Sequence, residues 1–596
     1  MKKMLLILGL SLLMSGTAMA QGSQNLQKIY PVNSEIYEAI TLLHISQGYS
    51  LPSTTGPWSG DELSKMLARV DRAKLSGSLL ETYDFVQSAL DEGKKTVKFG
   101  LKVAAEGYYH TDTTNFTDEA DWIRGFDERS PFLDLVLETW PSEHFYGFSS
   151  LSIGNARFNS WSASKGVTST LWGDSALTTN VPLVPPAGLF DLDFNIPYRA
   201  FGAVGGTGWS AQIGRDKLSW GPGETGNFVL GDHLLYHNLG RLTTYGKNFK
   251  YTLATSFFPH PANYYPIIDG SGNFINGGSQ HVVDSGLNMF LGHRLEWKLF
   301  SNKVGLTLTE AIMYQSLDNT FDLRVLNPAA IFHNYYIRSN ANSIISLELD
   351  YSPIKFVNIY GQMVVDEFPL PGEPIPGDPA YASALPNGFG FMLGTKATYP
   401  VGNGMFFGSA EAVKTDPYLY LRDAGQENRS DYTQNLGDYG INWVVAIREF
   451  TQAATSYNEE FIGYQYGGDA IVMNATLGYR KFGKWSVSGN FFHMIHGTHD
   501  KWTIWSWVDS NPADDTPNVT TPSTTHYNDN NGDLNEELRN AASYTTAVGV
   551  KGTYNVLKGL DVYGEVDYIT ITNPGNISTN PAVSDVQVTL GLSYTL

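Results

Sequence analysis

The segment Gly214-Arg215-Asp216-Lys217-Leu218-Ser219-Trp220-Gly221-Pro222-Gly223 sets an arginine and a tryptophan just ahead of a stiff turn. Gly221, Pro222 and Gly223 force that turn to be tight. A guanidinium offers two parallel donors to a carboxylate or to sugar oxygens, and an indole offers a flat stacking face. Arg215 and Trp220, facing an interior space or its mouth, would suit a polysaccharide ligand. The competing reading pairs Arg215 with an interior acid such as Glu411, so that the arginine only stabilises a polar interior.

A second dense cluster holds His493, His496 and His499, with Trp502, Trp505 and Trp507 close behind. On a strand, His493 and His496 face opposite sides, so a shared metal needs a loop or a bulge, and no metal is expected. The three tryptophans read either as an interfacial girdle or as a sugar-stacking platform in a loop. Asp529, Asn531, Asp533 and Asn535 alternate in a polar stretch that suggests calcium. Gly532, however, puts Tyr527 and Leu538 at the first and last ligand positions of an EF-hand, so a solvated loop is the simpler reading.

Catalytic signatures are thin. The sequence holds no G-x-S-x-G elbow, P-loop or H-E-x-x-H motif. No cysteine is present, which removes disulfides, thiolate metal sites and cysteine nucleophiles. No catalytic residue and no cofactor are therefore expected. The formal net charge is −20, and losing Lys2 and Lys3 with a leader would deepen it by two. Such a chain does not capture nucleic acid by bulk attraction, and an acidic polymer is repelled on average.

Residues 1–20 read as a secretory signal peptide. Lys2 and Lys3 are followed by a short apolar core and by Ala18-Met19-Ala20, an A-x-A cleavage pattern. Beyond Ala20 no run of apolar residues is long enough for a membrane-spanning helix. Residues 21–96 carry helical periodicity. Ile36, Ile40 and Leu43 form one stripe, closed by Gly48; Ser59 and Glu62 form a capping box before Leu63 and Met66; Leu79, Leu80, Tyr83, Val86 and Leu90 form a third, ending at Gly93. Three short helices make a small domain, expected on the periplasmic side or plugging that mouth.

The period then changes to two. Val97, Phe99, Leu101 and Val103 alternate with Lys98, Gly100, Lys102 and Ala104, which marks a boundary near residue 96. Further alternating runs cover 132–139, 148–158, 304–314, 345–349, 354–364 and 482–492. In the last run, Val586, Val588, Leu590, Leu592, Tyr594 and Leu596 share one face, and Gln587, Thr589, Gly591, Ser593 and Thr595 the other. A half-apolar strand at the C-terminus is the usual closing strand of an outer-membrane barrel, although Leu596 stands where Phe is more common. The counts of 60 Gly, 34 Tyr, 31 Phe and 13 Trp beside a mean hydropathy of −0.20 fit strands with one lipid face and one wet face. Residues 97–596 are thus predicted to be an all-β, transmembrane antiparallel barrel. At roughly 25 to 30 residues per strand and half-loop, about sixteen to eighteen strands are expected. Residues 160–197, 259–286 and 508–540 read as extracellular loops.

The arginine–tryptophan segment resembles the hallmark of the Wzi family of capsule-assembly outer-membrane proteins. Other pieces look similar to that family: Leu326-Asn327-Pro328 with Phe332-His333-Asn334, Tyr360-Gly361-Gln362 with Asp366-Glu367-Phe368, and Glu411 with Asp416-Pro417-Tyr418-Leu419-Tyr420. Ile462-Gly463-Tyr464, Gly467-Gly468-Asp469-Ala470 and the N-terminal Tyr30-Pro31-Val32-Asn33-Ser34 are further ones. The run Val229-Leu230-Gly231-Asp232-His233 matches only in part. The resemblance implies an eighteen-stranded barrel with a small helical domain and a lectin-like, non-catalytic role in holding capsular or other extracellular polysaccharide at the cell surface. Expected polysaccharide-binding residues are Arg215, Trp220, Glu411, Trp502, Trp505 and Trp507. Expected partners are that polysaccharide, outer-membrane lipids and the polysaccharide export machinery. The competing function is a porin-type channel for small solutes, and a third is an outer-membrane hydrolase.

Overall fold

A computed structural model describes residues 25–91, 96–116, 122–125, 128–153, 177–181, 198–261, 282–316, 321, 323–327, 341–368, 387–421, 442–450, 455–501, 503, 519–524 and 539–596. The predicted signal peptide lies outside the described residues, as do Trp502, Trp505, Trp507 and the Asp529–Asn535 stretch.

Eighteen antiparallel strands close into a barrel. They are β1 (Val97–His110), β2 (Leu133–Thr139), β3 (Phe145–Ile153), β4 (Ala200–Gly206), β5 (Trp209–Asp216), β6 (His237–Tyr245), β7 (Phe249–Pro261), β8 (Val282–Leu299) and β9 (Val304–Ser316). The second half holds β10 (Ala341–Ile354), β11 (Val357–Val365), β12 (Phe389–Val401), β13 (Gly404–Thr415), β14 (Ala470–Lys481), β15 (Trp485–His496), β16 (Ser543–Leu557), β17 (Leu560–Thr572) and β18 (Val583–Thr595). The seam is β18 against β1, in register from Gln587 with His110 to Thr595 with Lys102. Closure leaves no unpaired edge, which a hydrocarbon environment demands.

The closing strand shows how the period-two pattern is used. Asp585, Gln587, Thr589 and Ser593 are buried inside, while Leu590 and Leu592 are exposed on the outer wall. Leu308, Leu349, Leu393, Leu477, Val550 and Val566 extend that exposed apolar band around the barrel. In water such a surface would cost roughly 25 cal/mol per Å²; against lipid tails it costs nothing. At one end of the band sit paired aromatics. Phe249 packs on Trp297 at 5.5 Å, Phe356 on Tyr399 at 5.2 Å, and Tyr479 lies between Phe406 and Trp485 at 4.7 and 5.0 Å. This is the interfacial girdle of a membrane-spanning barrel.

The two ends of the barrel differ. Eight connections at the girdled end span two to five residues, and the connections at the opposite end are long. Three helices, α1 (Glu35–Gln47), α2 (Gly60–Leu67) and α3 (Gly77–Leu90), cap the short-turn end. Gly48 ends α1 in the left-handed conformation, at φ 76°. Ala39, Ile40, Leu43, Leu63, Met66, Val86 and Leu90 form their core, together with Met405 from the start of β13 and Phe482 from the β14–β15 turn. Each fully buried aliphatic side chain there contributes about 1.5–3 kcal/mol. Phe85 stacks on Phe482 at 5.6 Å, so the helices and the barrel share one apolar contact.

Several sequence expectations are corrected. Phe482 belongs to a turn rather than to a strand, because it is drawn into the helical core. Ile354 ends β10, and β11 starts at Val357, so the run 354–364 crosses a hairpin. The loop expected at 259–286 is shortened from both sides by β7 and β8. Half of the capping box forms: the Ser59 hydroxyl accepts from the Glu62 amide at 3.3 Å. The Glu62 carboxylate turns instead to Lys250 on the barrel wall at 2.5 Å, because a buried carboxylate gains more from a cation than from a second amide.

Candidate functional site: the filled lumen and the long-loop mouth

From the short-turn end, residues 49–56 leave the helical domain and enter the lumen. Inward-pointing charged residues of the wall receive them. Arg294 on β8 is fully buried, and its five N–H donors are all used. Two go to Glu348 at 2.6 and 2.7 Å, and one each to Thr54 at 2.7 Å, Thr55 at 2.6 Å and Thr309 at 2.9 Å. Lys298 donates to the carbonyls of Leu51 and Pro52 at 2.8 and 3.1 Å, and Asp350 accepts from the Leu51 amide at 2.6 Å. Lys250 donates to Ser53 and to the Thr55 carbonyl, both at 2.8 Å. Side chains that would line an open channel are thereby spent on holding a segment of the chain.

From the opposite end, the connection between β5 and β6 folds down into the same space. Its Ser219-Trp220 pairs as a short antiparallel strand with Thr55-Gly56, and the Gly221 amide donates to the Thr54 carbonyl at 2.8 Å. The descending segment brings Leu218, Phe228, Val229, Leu230 and Leu234 against inward residues such as Phe290, Ile344, Val364, Met392 and Val413. Trp443, Ile462 and Tyr464, from the connection between β13 and β14, complete this core. The lumen over these strands is therefore filled by polypeptide from both ends.

The turn Gly221-Pro222-Gly223 is the keel of that plug. Gly221 has φ 145°, and a Cβ there would sit 2.1 Å from the Asn227 amide oxygen. The same oxygen accepts from the Gly223 amide at 2.9 Å, and a Cβ on Gly223 would meet the Gly226 carbonyl at 1.9 Å. Only glycine fits at either position.

The expected site residues part company here. Trp220 is fully buried, edge-on to Phe290 at 5.8 Å and beside Arg294, so it packs the plug and has no face left for a sugar. Glu411 does lie in the lumen, but it does not pair with Arg215. Its carboxylate accepts from the amides of Glu224 at 2.8 Å and Thr225 at 2.9 Å, and from the hydroxyls of Thr225 at 2.5 Å and Tyr360 at 2.7 Å. The three bonds from Glu224 and Thr225 clamp the plug turn to β13, and the Tyr360 bond ties the carboxylate to β11. Arg215 stands at the long-loop end of β5, out of step with the buried Gln212 and Asp216, so it points away from the lumen rather than into it. It donates to Asn238 at 3.0 Å and lies over the Tyr236 ring at 4.2 Å. The inward cation at this level is Arg199, whose Nε donates to Asp216 at 2.6 Å.

Three of the segments behind the family resemblance, around Gln362, Tyr420 and Tyr464, meet around this plug, whereas Phe332-His333-Asn334 lies outside the described residues. Gln362 accepts from the Phe228 amide at 3.1 Å and donates to Glu348 at 2.7 Å. Tyr420 donates to the Phe228 carbonyl at 2.6 Å, and Asp366 accepts from the Tyr420 amide at 2.8 Å. Tyr464 contacts the Thr225 hydroxyl at 3.0 Å. Sequence reasoning missed Thr54, Thr55, Arg294 and Glu348. The one available signal was the density of charged residues at alternate positions of β8 and β10, where a lipid-exposed barrel should hide them inside.

At the mouth, Asp469 gathers a loop. Its carboxylate accepts from the amides of His499 at 3.1 Å and Ser523 at 2.9 Å, and from the Ser523 hydroxyl. Burial pushes the Asp469 carboxyl up, but the hydrogen bond and charge of His499, with Ser523, hold it below the usual carboxylate range. These residues have the composition of a catalytic triad but not its order. Ser523 contacts the same His499 Nδ1 that faces Asp469, at 2.9 and 3.3 Å, whereas a relay needs the serine and the acid on opposite ring nitrogens. Of the other histidines in that cluster, His493 contacts Thr546 at 2.8 Å and His496 contacts the Gly497 and Tyr466 carbonyls at 2.8 and 3.1 Å, so these three rings do not converge.

No family model matches the chain, and no curated protein does. Among solved structures, Wzi of Escherichia coli, described as an outer-membrane protein involved in group 1 capsule assembly and a carbohydrate-binding β-barrel, aligns at a TM-score of 0.54 and 13% identity. The match covers 95% of this chain and 98% of that one. The outer-membrane protein OprD of Pseudomonas aeruginosa aligns over 84% of this chain and 95% of its own at a TM-score of 0.35 and 9% identity. The chain therefore shares the outer-membrane β-barrel fold of that structure.

Proposed function

We propose that this chain is a non-catalytic outer-membrane protein of the Wzi type that retains capsular or extracellular polysaccharide at the bacterial surface. The observation that carries the reading is the lumen filled from both ends, with Arg294 and Glu411 spent on holding the plug. A solute channel needs those groups facing water; a surface anchor needs only a rigid long-loop end. In an outer-membrane barrel the short turns face the periplasm and the long loops face outward, so the helices lie periplasmic and the mouth at Asp469 lies outside. That orientation leaves the helical cap as the surface available to an export partner. The likeness to a carbohydrate-binding barrel supplies the ligand class.

The test is a deletion strain. Surface polysaccharide shed into the medium, restored by the wild-type gene, supports the reading. Unchanged retention, with stepwise ion conductance of the purified protein in a planar bilayer, replaces it with a pore.

A further inference from the structure

The connection between β17 and β18 borders an open cavity of about 630 Å³ at the long-loop end. Its polar lining includes Asp500, Arg539, Asn576 and Asn580, and its apolar lining Pro574 and Ile577. The volume suits one or two sugar rings, since small-molecule sites span roughly 300–1,000 Å³.

The cavity wall is built, not incidental. Asn576 takes the left-handed conformation, at φ 63°. Its side-chain amide donates to the carbonyls of His496 and Gly497 at 2.9 Å and of Ala541 at 3.1 Å. Its own carbonyl accepts from the amides of Asn540 and Ala541 at 2.9 and 3.1 Å. One residue thus welds the end of β15, the start of β16 and the β17–β18 turn. Asn580 stiffens that turn by donating to the Pro574 carbonyl at 2.9 Å.

We infer that this cavity is a subsite for an uncharged pyranose, recognised through vicinal hydroxyls by the Asp500–Arg539 pair. The inference rests on the polysaccharide reading above. The two side chains are joined at 2.7 Å and remain partly exposed, at 29% and 18%. A carboxylate that accepts and a guanidinium that donates, held side by side, match the alternating donors and acceptors of a diol. The pair carries no net charge, so it offers no advantage to an acidic sugar, which the chain's net charge of −20 also repels. Pro574 and Ile577 supply the apolar strip against which the C–H face of a ring lies.

The test measures binding of the source bacterium's own extracted surface polysaccharide to the full-length protein in detergent. Beside the wild type stand Asp500→Asn, Arg539→Gln and Ile577→Trp, the last filling the cavity while leaving every polar group in place. Heat-modifiable gel mobility checks that each barrel is folded. The expected result is about a tenfold loss for each polar variant and near-complete loss for Ile577→Trp. Wild-type binding should be unchanged by high salt and by chemical reduction of the polymer's carboxyl groups. Folded variants that all bind like the wild type overturn the subsite and leave the proposed function standing. Binding abolished by salt or by carboxyl reduction overturns the ligand class. A wild-type protein that binds no polymer overturns both.

Discussion

Thr55 and Trp220 face each other as register partners of a short antiparallel ladder inside the barrel, although one arrives from the helical cap and the other from the long-loop end. The pair joins the two faces of the membrane through protein. From Thr54 and Thr55 the contacts continue through Arg294, Glu348 and Gln362 to Phe228, and then through Tyr420 to Asp366 near the mouth.

Arg294→Ala should be the most damaging single change in the lumen. It leaves the buried Glu348 carboxylate without its cation and takes one partner from each of Thr54 and Thr55, and breaking a buried pair from one side costs about 3–5 kcal/mol. Chemical denaturation should show that loss, and limited proteolysis should release residues 25–91 from a barrel that still migrates as folded. Unaltered protease resistance would show that the floor is held elsewhere.

Glu411→Ala should loosen the plug without unfolding the barrel. Four donors lose their acceptor, at about 1–3 kcal/mol for each that stays buried and unpaired. In planar bilayers the variant should conduct more often and for longer than the wild type. Glu411→Gln keeps part of the acceptor capacity and should fall between the two.

Trp220→Ala should act through packing alone. Removing a fully buried aromatic costs about 3–5 kcal/mol. Polysaccharide affinity per folded molecule should remain at the wild-type level, because the indole faces Phe290 and Arg294 rather than the mouth. A large loss of affinity in a protein of normal stability would place the indole in the ligand site after all.

Acid should weaken the helical cap through His44. Burial, reinforced by the Arg69 charge, pushes its pKa down to about 3 from an ordinary 6.5. Between those values the unfolded chain binds a proton that the folded one refuses, so stability is full above 6.5 and falls as pH drops towards 3. The slope is at most about 1.4 kcal/mol per pH unit. His44 Nε2 contacts the Met66 carbonyl at 3.0 Å, a bond that glutamine can imitate. His44→Gln should flatten the pH dependence of cap protection in hydrogen exchange.

The sequence by itself determined the barrel and its helical cap. A period of two with one apolar face states which side meets lipid, and the helical stripes of Ile40, Leu43, Leu63 and Met66 state which side meets the core. Those patterns are local, and local spacing records them. It also marked Glu411 and the Gly221-Pro222-Gly223 turn as special. The destination of the inward side chains was decided only by the tertiary structure. An inward-facing arginine or glutamate reads the same in sequence whether it meets water, a ligand or another stretch of the chain. Trp220 went to the plug core and Arg215 to the outer rim because of a turn whose partners, Asn227 and Glu411, are brought in by folding. The match between Thr54-Thr55 and Arg294 has no local signature, since it exists only once the barrel has closed around both.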